Sequence, residues 1–486
     1  MSGIDVLGLL APEVLLVAGG VAILILGLIW RGEKAYKPLT GLGVAVALGA
    51  LALSVAAGGA ARSLPEGMFA GDPFTQFFRV LGALCAALVL VMAMGRPHLG
   101  REFPGLLLFA TLGILLTASG SNLVMIYVGI ELLSIASYIL AGLLREETRS
   151  NEAALKYFIY GAVASAVMLY GLSLLFGLTG STDLTVMAKK LAAGGVGANV
   201  RWVALPAIVL MMVGFGFKIA AVPFHQWSPD VYEGAPTPVT AFLSVGPKAA
   251  GFAALARVLF VALPALRVDW MVLVAALSVA TMTLGNLVAL SQTHMKRLLA
   301  YSSIAQAGYM LIGLVAVQTG GQGLGDGLSA LLLYLVAYLF TNLGAFAVVL
   351  AVEDSTGSDA IADYAGLVRR SPLLAGALVF YFLSLVGIPP LACFVGKLFI
   401  FTAAVRAELY WLAAIGVVNS VISLAYYFGV VRRMFFDRGE GELPTVSVRS
   451  SLAVAVAATW VGTAGLIAFA SPVIAWATRS VEMLMK

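Results

Sequence analysis

Apolar runs of about 20 residues recur along the chain from Pro12 to the C-terminus. A helix needs a run of that length to cross the roughly 30 Å hydrocarbon core of a bilayer. The composition agrees, since 61% of the 486 residues are hydrophobic and only 11% are charged. A soluble protein of this size needs far more polar surface to cover its exterior. The sequence therefore predicts an all-α polytopic membrane protein.

The runs divide into about fourteen predicted spans, separated by short links rich in Gly, Pro and Ser. The glycine-rich stretch GGQGLGDG at 320–327 is expected to be a loop. Because Met1–Leu10 carries Asp5 and no basic stretch, it does not resemble a cleavable signal, and the first span is expected to direct its own insertion. The predicted spans are 11–30, 39–60, 73–95, 104–120, 122–144, 151–177, 203–233, 238–262, 268–291, 296–318, 326–352, 372–405, 409–434 and 451–475.

Lysine and arginine are distributed unequally between the two sets of predicted loops. The odd-numbered loops hold fifteen of these residues, and the even-numbered loops with the two ends of the chain hold eight. Because cytoplasmic loops carry the excess of Lys and Arg, the odd-numbered loops are expected in the cytoplasm. Both termini are then expected on the outer side of the membrane, and an even number of spans agrees with this.

Several functional classes are excluded by composition and spacing. The net charge of +5 does not indicate nucleic-acid binding, because the basic residues are scattered instead of forming one patch. Cys85 and Cys393 lie in apolar segments without the spacing of a disulfide, iron–sulfur or zinc site. The three histidines are far apart, and no nucleotide-binding motif occurs. We therefore expect this chain to bind no metal and no cofactor of its own.

Two predicted spans are longer than a bilayer requires, and proline interrupts each of them. Span 203–233 contains Pro223, and span 372–405 contains Pro389 and Pro390. Discontinuous helices at corresponding positions of two halves are the best indication in a sequence of a transporter's ion site. Broken backbone at membrane depth is tolerated only where protein buries it or it lines a wet cavity. Both breaks are therefore predicted to serve an ion pathway.

The interrupted spans are the seventh and the twelfth, so they lie five helices apart. Because five is odd, two five-helix units would have opposite orientations in the membrane. The sequence thus predicts two inverted repeats, made of spans 4–8 and 9–13. The expected domains are helices 1–3 at 1–103, the first repeat at 104–265, the second repeat at 266–435 and the last helix at 436–486.

Six basic residues and the clearest acid at depth, Glu131, are the charges that matter most within the predicted spans. A charge at a helix centre costs roughly 2.5–3.5 kcal/mol on insertion scales, so each needs pairing, water or neutralisation. Arg79 and Arg257 lie near span ends, where snorkelling or structural pairing explains them. Lys156 is about six positions into its span, so it can either snorkel or act in a relay. The seven are Arg79, Glu131, Lys156, Lys218, Lys248, Arg257 and Lys397.

The deepest charges are Glu131 and three lysines, two of which flank the helix breaks. Such a row indicates a proton relay, because a buried Lys or Glu gains or loses its proton when the charge beside it changes. His225, seven residues after Lys218, lies on a similar helix face and can pass protons through water. The alternatives are a Glu131–Lys218 salt bridge that only fixes helix packing and a packing role for His225. Further polar groups that could hold water are Tyr138, Tyr334, Tyr338, Thr341 and Asn342, whereas His294 is expected near a loop.

Three long stretches, in order along the chain, carry a family resemblance. They are FKIAAVPFHQWSPDVYEGAPTPVTAFLSVGPKAA (217–250), MKRLLAYSSIAQAGYMLIGL (295–314) and SLVGIPPLACFVGK (384–397). Together they resemble subunit N of proton-pumping NADH:quinone oxidoreductase, respiratory complex I, over roughly residues 110–435. The resemblance implies fourteen helices, two inverted five-helix repeats and discontinuous seventh and twelfth helices.

The resemblance also implies roles for individual residues. One departure is Cys393, where the family is expected to have glycine; it could alter helix flexibility near the twelfth-helix lysine. Carried over by position, the roles are a fifth-helix glutamate at Glu131, the seventh-helix lysine that pairs with it at Lys218, a sixth-helix lysine at Lys156, a water-chain histidine at His225, the central eighth-helix lysine at Lys248 and the twelfth-helix lysine at Lys397.

By this resemblance the chain is a proton-translocating subunit without redox chemistry of its own. Quinone reduction in other subunits would drive it, and NADH, FMN, iron–sulfur clusters and quinone would be bound there. Its expected partners are a neighbouring antiporter-like subunit, the small membrane subunits and the lipid bilayer. Its expected location is a bacterial plasma membrane, with both termini on the periplasmic side.

Two other functions are weighed against this one. The first is a stand-alone or Mrp-type cation/proton antiporter, since the same superfamily includes such proteins. The stretch VYEGAPTPVTAFLSVGPK favours subunit N over these relatives. The second is a structural membrane scaffold for a redox arm, which would carry no protons.

Overall fold

The computed structural model describes residues 8–30, 32–57, 62–63, 67–193, 198–317, 326–437, 445–482 and 484. Residues 320–325 of the predicted glycine-rich loop lie outside these ranges. Asp326 and Gly327, the last two residues of that loop prediction, instead begin a helix.

The described residues are almost entirely helical. Two short antiparallel strands precede the third helix, β1 (Arg62–Ser63) and β2 (Ala70–Gly71). The helices of the first half are α1 (Ala11–Ile29), α2 (Tyr36–Ala56), α3 (Pro73–Ala93), α4 (Phe103–Ser119), α5 (Leu123–Ala141), α6 (Thr148–Thr179), α7 (Leu184–Ala193), α8 (Ala198–Ile219), α9 (Trp227–Gly234) and α10 (Thr237–Arg257).

The second half continues in the same way, apart from short turns. The helix α10 runs into one π-helical turn, Val258–Ala262, before the next helix begins. The later helices are α11 (Arg267–Ala289), α12 (Met295–Val315), α13 (Asp326–Thr356), α14 (Leu367–Arg370), α15 (Pro372–Val386), α16 (Ala392–Arg406), α17 (Tyr410–Phe436), α18 (Ser450–Ala468) and α19 (Ala470–Glu482).

Twelve helices within the described residues are long and apolar enough to cross a bilayer. The chain is therefore a multi-pass membrane protein, as predicted. The helices α4 and α15 are apolar but shorter, at 17 and 15 residues. The total of fourteen spans counts α4 as one span and the broken pair α15 and α16 as another, and that total stays a prediction.

Side-chain caps and glycines set several helix ends. The Asp72 carboxylate accepts a hydrogen bond from the Thr75 N–H at 2.8 Å, and the Asn122 amide oxygen accepts one from the Val124 N–H at 2.8 Å. These caps satisfy amides that a helix N-terminus otherwise leaves unpaired. Gly180 ends α6 in the left-handed conformation, with φ of 59°, which only glycine adopts without cost.

The two arginines near span ends are both paired, which confirms the structural alternative for them. The Arg79 Nε lies 2.7 Å from the Glu13 carboxylate. Arg257 lies 2.7 Å from Asp72 and donates to the Ala118 carbonyl at 2.5 Å. Burial alone raises the pKa of Asp72, but the Arg257 guanidinium and the Thr75 donors outweigh it and lower that pKa. These pairs join α1, α3, α4 and α10.

The first two helices of each predicted repeat pack in the same way, which supports the predicted repeats. The helix α4 lies against α5 and α11 lies against α12, and in each pair one glycine of each helix faces the backbone of the other. A Cβ at any of these glycines would collide with that backbone, so only glycine allows the close approach. The repeat boundaries 104–265 and 266–435 remain predictions. The contacts are Gly113 with Leu133, Gly129 with Thr117, Gly285 with Ala305, and Gly308 with Met282.

The last predicted span, 451–475, is wrong at its C-terminal end. The helix α18 ends at Ala468, and a separate helix, α19, begins at Ala470. Trp476 of α19 packs on Phe77 of α3, with ring centroids 4.5 Å apart. The sequence analysis also missed α7, a ten-residue helix outside the apolar runs. Both helices mix polar with apolar residues, so a search for apolar runs does not find them.

Candidate functional site

The first helix break lies where Pro223 predicts it. The helix α8 ends at Ile219, Ala220 has a positive φ of 57°, and the Val222-Pro223 bond is cis. The freed backbone is partly satisfied by other groups. The Phe217 carbonyl accepts from the Trp227 indole at 3.0 Å, and the Val222 N–H donates to the Thr281 hydroxyl at 3.0 Å.

The second break lies at Pro389 and Pro390, again as predicted, and their peptide bond is cis. The helix α15 ends at Val386, Gly387 has a φ of 92°, and α16 begins at Ala392. Since the last carbonyls of a helix have no intrahelical partner, they are free to accept other hydrogen bonds. Both interrupted helices therefore expose backbone groups inside the protein.

Lys397 uses the carbonyls that the second break exposes. Its Nζ donates to the Leu385 carbonyl at 3.0 Å, the Val386 carbonyl at 2.9 Å and the Ser420 hydroxyl at 3.1 Å. An ammonium has three N–H groups, so every donor is satisfied. The same Nζ lies 4.3 Å from the centroid of the Tyr309 ring, a favourable cation–π distance. The negative end of the α15 dipole also points at this lysine.

Gln306 of α12 connects to the same carbonyl. Its Nε2 donates to the Leu385 oxygen at 3.0 Å, and its Oε1 accepts from the Tyr334 hydroxyl. The Leu385 carbonyl thus accepts from Gln306 and from Lys397 together. This single oxygen joins α12, α15 and α16 at the second break.

Lys248 lies on α10 and contacts α12 at Ser303, one helical turn from Gln306. Its Nζ donates to the Ser303 carbonyl at 2.6 Å, and the Ser303 hydroxyl accepts from the Tyr338 hydroxyl at 2.7 Å. Lys248 is 1% exposed. Because Ser303 and Gln306 are three residues apart on one helix, they lie on the same face. That face of α12 connects the surroundings of Lys248 with those of Lys397.

Lys218 has very different surroundings. Its Nζ is buried and has no hydrogen-bond partner among the described residues. Three aromatic rings surround it, with centroids 5.6–6.0 Å away, those of Phe217, Tyr157 and Tyr138. Such rings attract a cation only weakly compared with a carbonyl or carboxylate. The Lys218 ammonium therefore has only aromatic faces beside it.

Glu131 is partly buried on α5 and accepts a hydrogen bond from the Ser165 hydroxyl. The Ser165 oxygen also accepts from the Tyr127 hydroxyl, at 3.2 Å, because its single proton is used on Glu131. Among the described ion pairs none joins Glu131 to Lys218. The packing salt bridge considered from the sequence is thus not formed in this structure, and the pairing implied by the family resemblance stays a prediction.

His225 and Lys156 lie at different places relative to this row. His225 is in the first helix break, and its buried Nδ1 has no described partner. Lys156 is 38% exposed and pairs with Glu152 at 2.6 Å and Asp230 at 2.8 Å. Asp230 also binds Arg297, at 2.8 Å. The structure thus places Lys156 in a surface ion-pair network, and its part in a relay stays a prediction.

The two halves of the row differ in how well their polar atoms are satisfied. Between Lys248 and Lys397, hydroxyl, amide and carbonyl groups form a nearly continuous set of hydrogen bonds. On the Lys218 side, two buried polar atoms, Lys218 Nζ and His225 Nδ1, have no described hydrogen-bond partner. Buried polar groups normally bind something, so these two atoms mark places for ordered water.

Sequence reasoning missed four polar residues of the site. They are uncharged and stand singly in apolar helices, so the cost of burying a charge did not mark them. The stretch SSIAQ within α12 is the one local signal, because three polar residues within five are unusual in a span. Tyr334 and Tyr338, suggested as groups that hold water, do contact this network. The missed residues are Ser165, Ser303, Gln306 and Ser420.

Within the described residues no cluster of three or more His, Cys, Asp and Glu could hold a metal ion. The site consists of ionisable side chains, hydroxyls, amides and two broken helices, buried in a membrane protein. Groups of this kind can hold and pass protons when water joins them. The fold and the site together define an antiporter-like membrane subunit.

The sequence matches the family described as "NADH:quinone oxidoreductase/Mrp antiporter, TM" over residues 120–423. It is 42% identical to "NADH-quinone oxidoreductase subunit N 2" of Symbiobacterium thermophilum, over 97% of this chain and 96% of that relative. The chain belongs to this family and, within it, to the subunit N group.

Solved structures give the same assignment. A chain of respiratory complex I from Thermus thermophilus with bound aureothin is 35% identical, with a TM-score of 0.79, covering 96% of this chain and 98% of that one. A chain of the Mrp complex from a Dietzia species has a TM-score of 0.85 at 21% identity, covering 100% of this chain and 98% of that one. At that identity the second likeness shows the fold alone.

Proposed function

We propose that this chain is the proton-translocating, non-redox subunit N in the membrane arm of NADH:quinone oxidoreductase. The observation that supports this most strongly is the set of three lysines, Lys218, Lys248 and Lys397, each at most 3% exposed. None of them has an ion-pair partner among the described residues. Burying unpaired lysines costs free energy without a gain in packing, which favours a functional role.

Glu131 is the group that senses events in the neighbouring subunits. Its carboxylate is only partly buried, so charge in an adjoining subunit can act on it. A negative Glu131 favours the protonated form of Lys218, and loss of that charge releases the proton. Because Lys218 has no hydrogen-bond partner, this field decides its protonation state.

The proton released from Lys218 moves toward Lys248 through water. The buried Nδ1 of His225, which has no described partner, supports such water at the first break. Arrival of charge at Lys248 then repels the proton on Lys397 by Coulomb interaction across the α12 network. Lys397, beside the second break, passes its proton on, and the row is reset from the Glu131 end.

The energy comes from redox chemistry in other subunits. In this proposal NADH, FMN, iron–sulfur clusters and quinone are bound there, and this chain supplies no electron carrier. Its partners are a neighbouring antiporter-like subunit, the small membrane subunits and the lipid around them. The complex lies in a bacterial plasma membrane, and the excess of Lys and Arg in the odd-numbered loops supports a periplasmic position for both termini.

A second candidate is an Mrp-type cation/proton antiporter subunit, supported by the fold shared with the Mrp complex. The two functions differ in what drives transport. An antiporter subunit exchanges Na⁺ or K⁺ for protons without NADH oxidation and does not co-purify with redox subunits. The 42% identity to a subunit N relative, against 21% to the Mrp chain, favours the first function.

The substitution Lys248→Met in the intact complex tests the proposal. NADH-driven quinone reduction and proton uptake are measured together in vesicles, and assembly is checked on native gels. We expect an assembled complex whose proton uptake falls at least several-fold, because the middle of the row is lost. The control is Lys37→Met, which removes an exposed lysine of α2.

The outcomes separate the three functions. Assembled Lys248→Met complex that pumps like the wild type would exclude a relay through Lys248. Lost assembly together with normal pumping of any residual complex would indicate the scaffold function. Cation exchange by the purified chain without NADH would indicate the antiporter.

A further inference from the structure

A cavity of about 460 Å³ opens between α11, α12 and α17, away from the charged row. Small and apolar residues line part of it, and Gln292, Thr293 and His294 from the segment after α11 add polar groups. None of the described lining residues is acidic. Two arginines at the end of α17, Arg432 and Arg433, line it as well. The cavity is therefore partly apolar and is positively charged at one end.

The two arginines are not neutralised within the described part of the protein. Both side chains are exposed, and neither has a described hydrogen bond or ion pair. Most other basic residues that face polar cavities here are paired, such as Lys296 with Glu353 at 3.4 Å. Two adjacent guanidiniums without a carboxylate present a fork of donors that matches a phosphate group.

The wall below the arginines is shaped by small residues of α17. Ala425 and Gly429 lie one turn apart and both line the cavity. A Cβ added at Gly429 would meet no atom within 4 Å, so the space in front of it is open. Because Gly429 and Arg433 are four residues apart, they lie on the same helix face. The groove thus continues directly from the positive end along the helix.

The alternative explanation is that these arginines bind no ligand, since cytoplasmic ends of membrane helices are generally rich in Lys and Arg. That explanation accounts for the arginines but not for the cavity beside them. The combination seen here, a cationic end, a partly apolar groove and no acid among the described lining residues, is complementary to a lipid with a negative headgroup. Basic pockets between membrane helices on the cytoplasmic side are known to bind such headgroups.

We propose that this cavity binds one anionic glycerophospholipid. Arg432 and Arg433 hold its phosphate, and the start of one acyl chain lies along Ala425 and Gly429. The site is separate from the charged row, so the proposal does not depend on the proposed function. A zwitterionic lipid offers the same chains but a headgroup with no net charge, and is expected to bind more weakly.

Photo-crosslinking in the purified, reconstituted complex tests the site. The probe is phosphatidylglycerol with a diazirine near the headgroup end of one acyl chain, compared with the matching phosphatidylcholine. Adducts on the α17 peptide are quantified by mass spectrometry. We expect the phosphatidylglycerol adduct to exceed the phosphatidylcholine adduct several-fold.

Three variants test which residues bind the lipid. R432Q/R433Q should lower the phosphatidylglycerol adduct to the phosphatidylcholine level. G429L should also reduce it, since a leucine fills the groove while both arginines remain. R369Q, which removes an exposed arginine that does not line the cavity, should leave it unchanged. Native gels confirm that each complex is assembled.

Three results would overturn the proposal. Equal adducts from both lipids would mean ordinary boundary lipid, and no adduct from either would mean that a partner protein covers the groove. Displacement of the adduct by inorganic phosphate alone, with no effect of G429L, would mean a simple anion site. Each result leaves the test of the charged row unaffected.

Discussion

Lys397 and Lys218 show how differently a membrane protein can treat the same side chain. Lys397 has three oxygen acceptors, two of them carbonyls freed by the second helix break. Lys218, beside the first break, has aromatic rings and no acceptor. Since an ammonium in a low-dielectric interior depends on such acceptors, a charged Lys397 is well supplied with hydrogen bonds, whereas a charged Lys218 faces aromatic rings alone.

Gln306 is the residue whose loss should most specifically affect the link between Lys248 and Lys397. Gln306→Leu leaves the Leu385 carbonyl with Lys397 alone and the Tyr334 hydroxyl without an acceptor. An unsatisfied buried group costs about 1–3 kcal/mol. We expect proton uptake per NADH to fall several-fold with the complex still assembled, because the contacts between the surroundings of Lys248 and Lys397 are weakened. Proton uptake and NADH oxidation measured in the same vesicles report this ratio.

The control for Gln306 is another buried glutamine. Gln76 of α3 is 8% exposed, and its Nε2 has no described partner. Gln76→Leu should therefore leave the ratio of protons to NADH unchanged. An equal fall in both variants would show that Gln306 acts through stability and has no specific part in the row.

At the scale of helices, the second break matters because it places two free carbonyls beside Lys397. Gly387 shapes the second break, with a φ of 92° that side chains rarely adopt. A Cβ there would also lie 3.0 Å from Cδ of Lys397. Strain in the backbone and displacement of Lys397 would thus arise from one methyl group.

Gly387→Ala is expected to destabilise the protein by about 1–3 kcal/mol and to lower proton uptake, because both the turn and Lys397 must shift. Gly376→Ala, in the interior of the same helix, meets no atom within 4 Å and should stabilise by about 0.5–1 kcal/mol. Thermal unfolding and vesicle pumping of the two variants check this. Matching effects at the two positions would contradict the role assigned to the turn.

The helices show what the sequence could and could not predict. Length and hydropathy located the spans, and Pro223, Pro389 and Pro390 located the breaks, because proline removes a helical hydrogen bond. The same reasoning missed α7 and α19, since mixed polar and apolar residues give no apolar run. It could not predict the hydrogen bond from Gln306 to the Leu385 carbonyl, or that Lys218 has no described partner. Both depend on how helices distant in sequence pack together.

At the scale of the whole molecule, the orientation in the membrane can be tested with thiols. Both natural cysteines, Cys85 and Cys393, are 0% exposed, so they give little background labelling. Lys34→Cys lies in a predicted cytoplasmic loop, and Lys190→Cys lies in a predicted outer loop. Because the outer side is open in right-side-out vesicles, a membrane-impermeant maleimide should label only Lys190→Cys there.

Inside-out vesicles provide the reciprocal measurement for the same two variants. There the reagent should reach Lys34→Cys alone. Labelling of Lys34→Cys in right-side-out vesicles would reverse the predicted orientation and place both termini in the cytoplasm.

The unequal surroundings of the outer two lysines also bear on leakage in the proposed relay. An ammonium at Lys397 makes three charge-assisted hydrogen bonds, and one at Lys218 faces aromatic rings alone. A proton that leaves Lys397 must break those three bonds, whereas a proton that leaves Lys218 breaks none that the structure describes. In the proposed relay, the hydrogen bonds of Lys397 would therefore slow unwanted proton exchange at that end of the row.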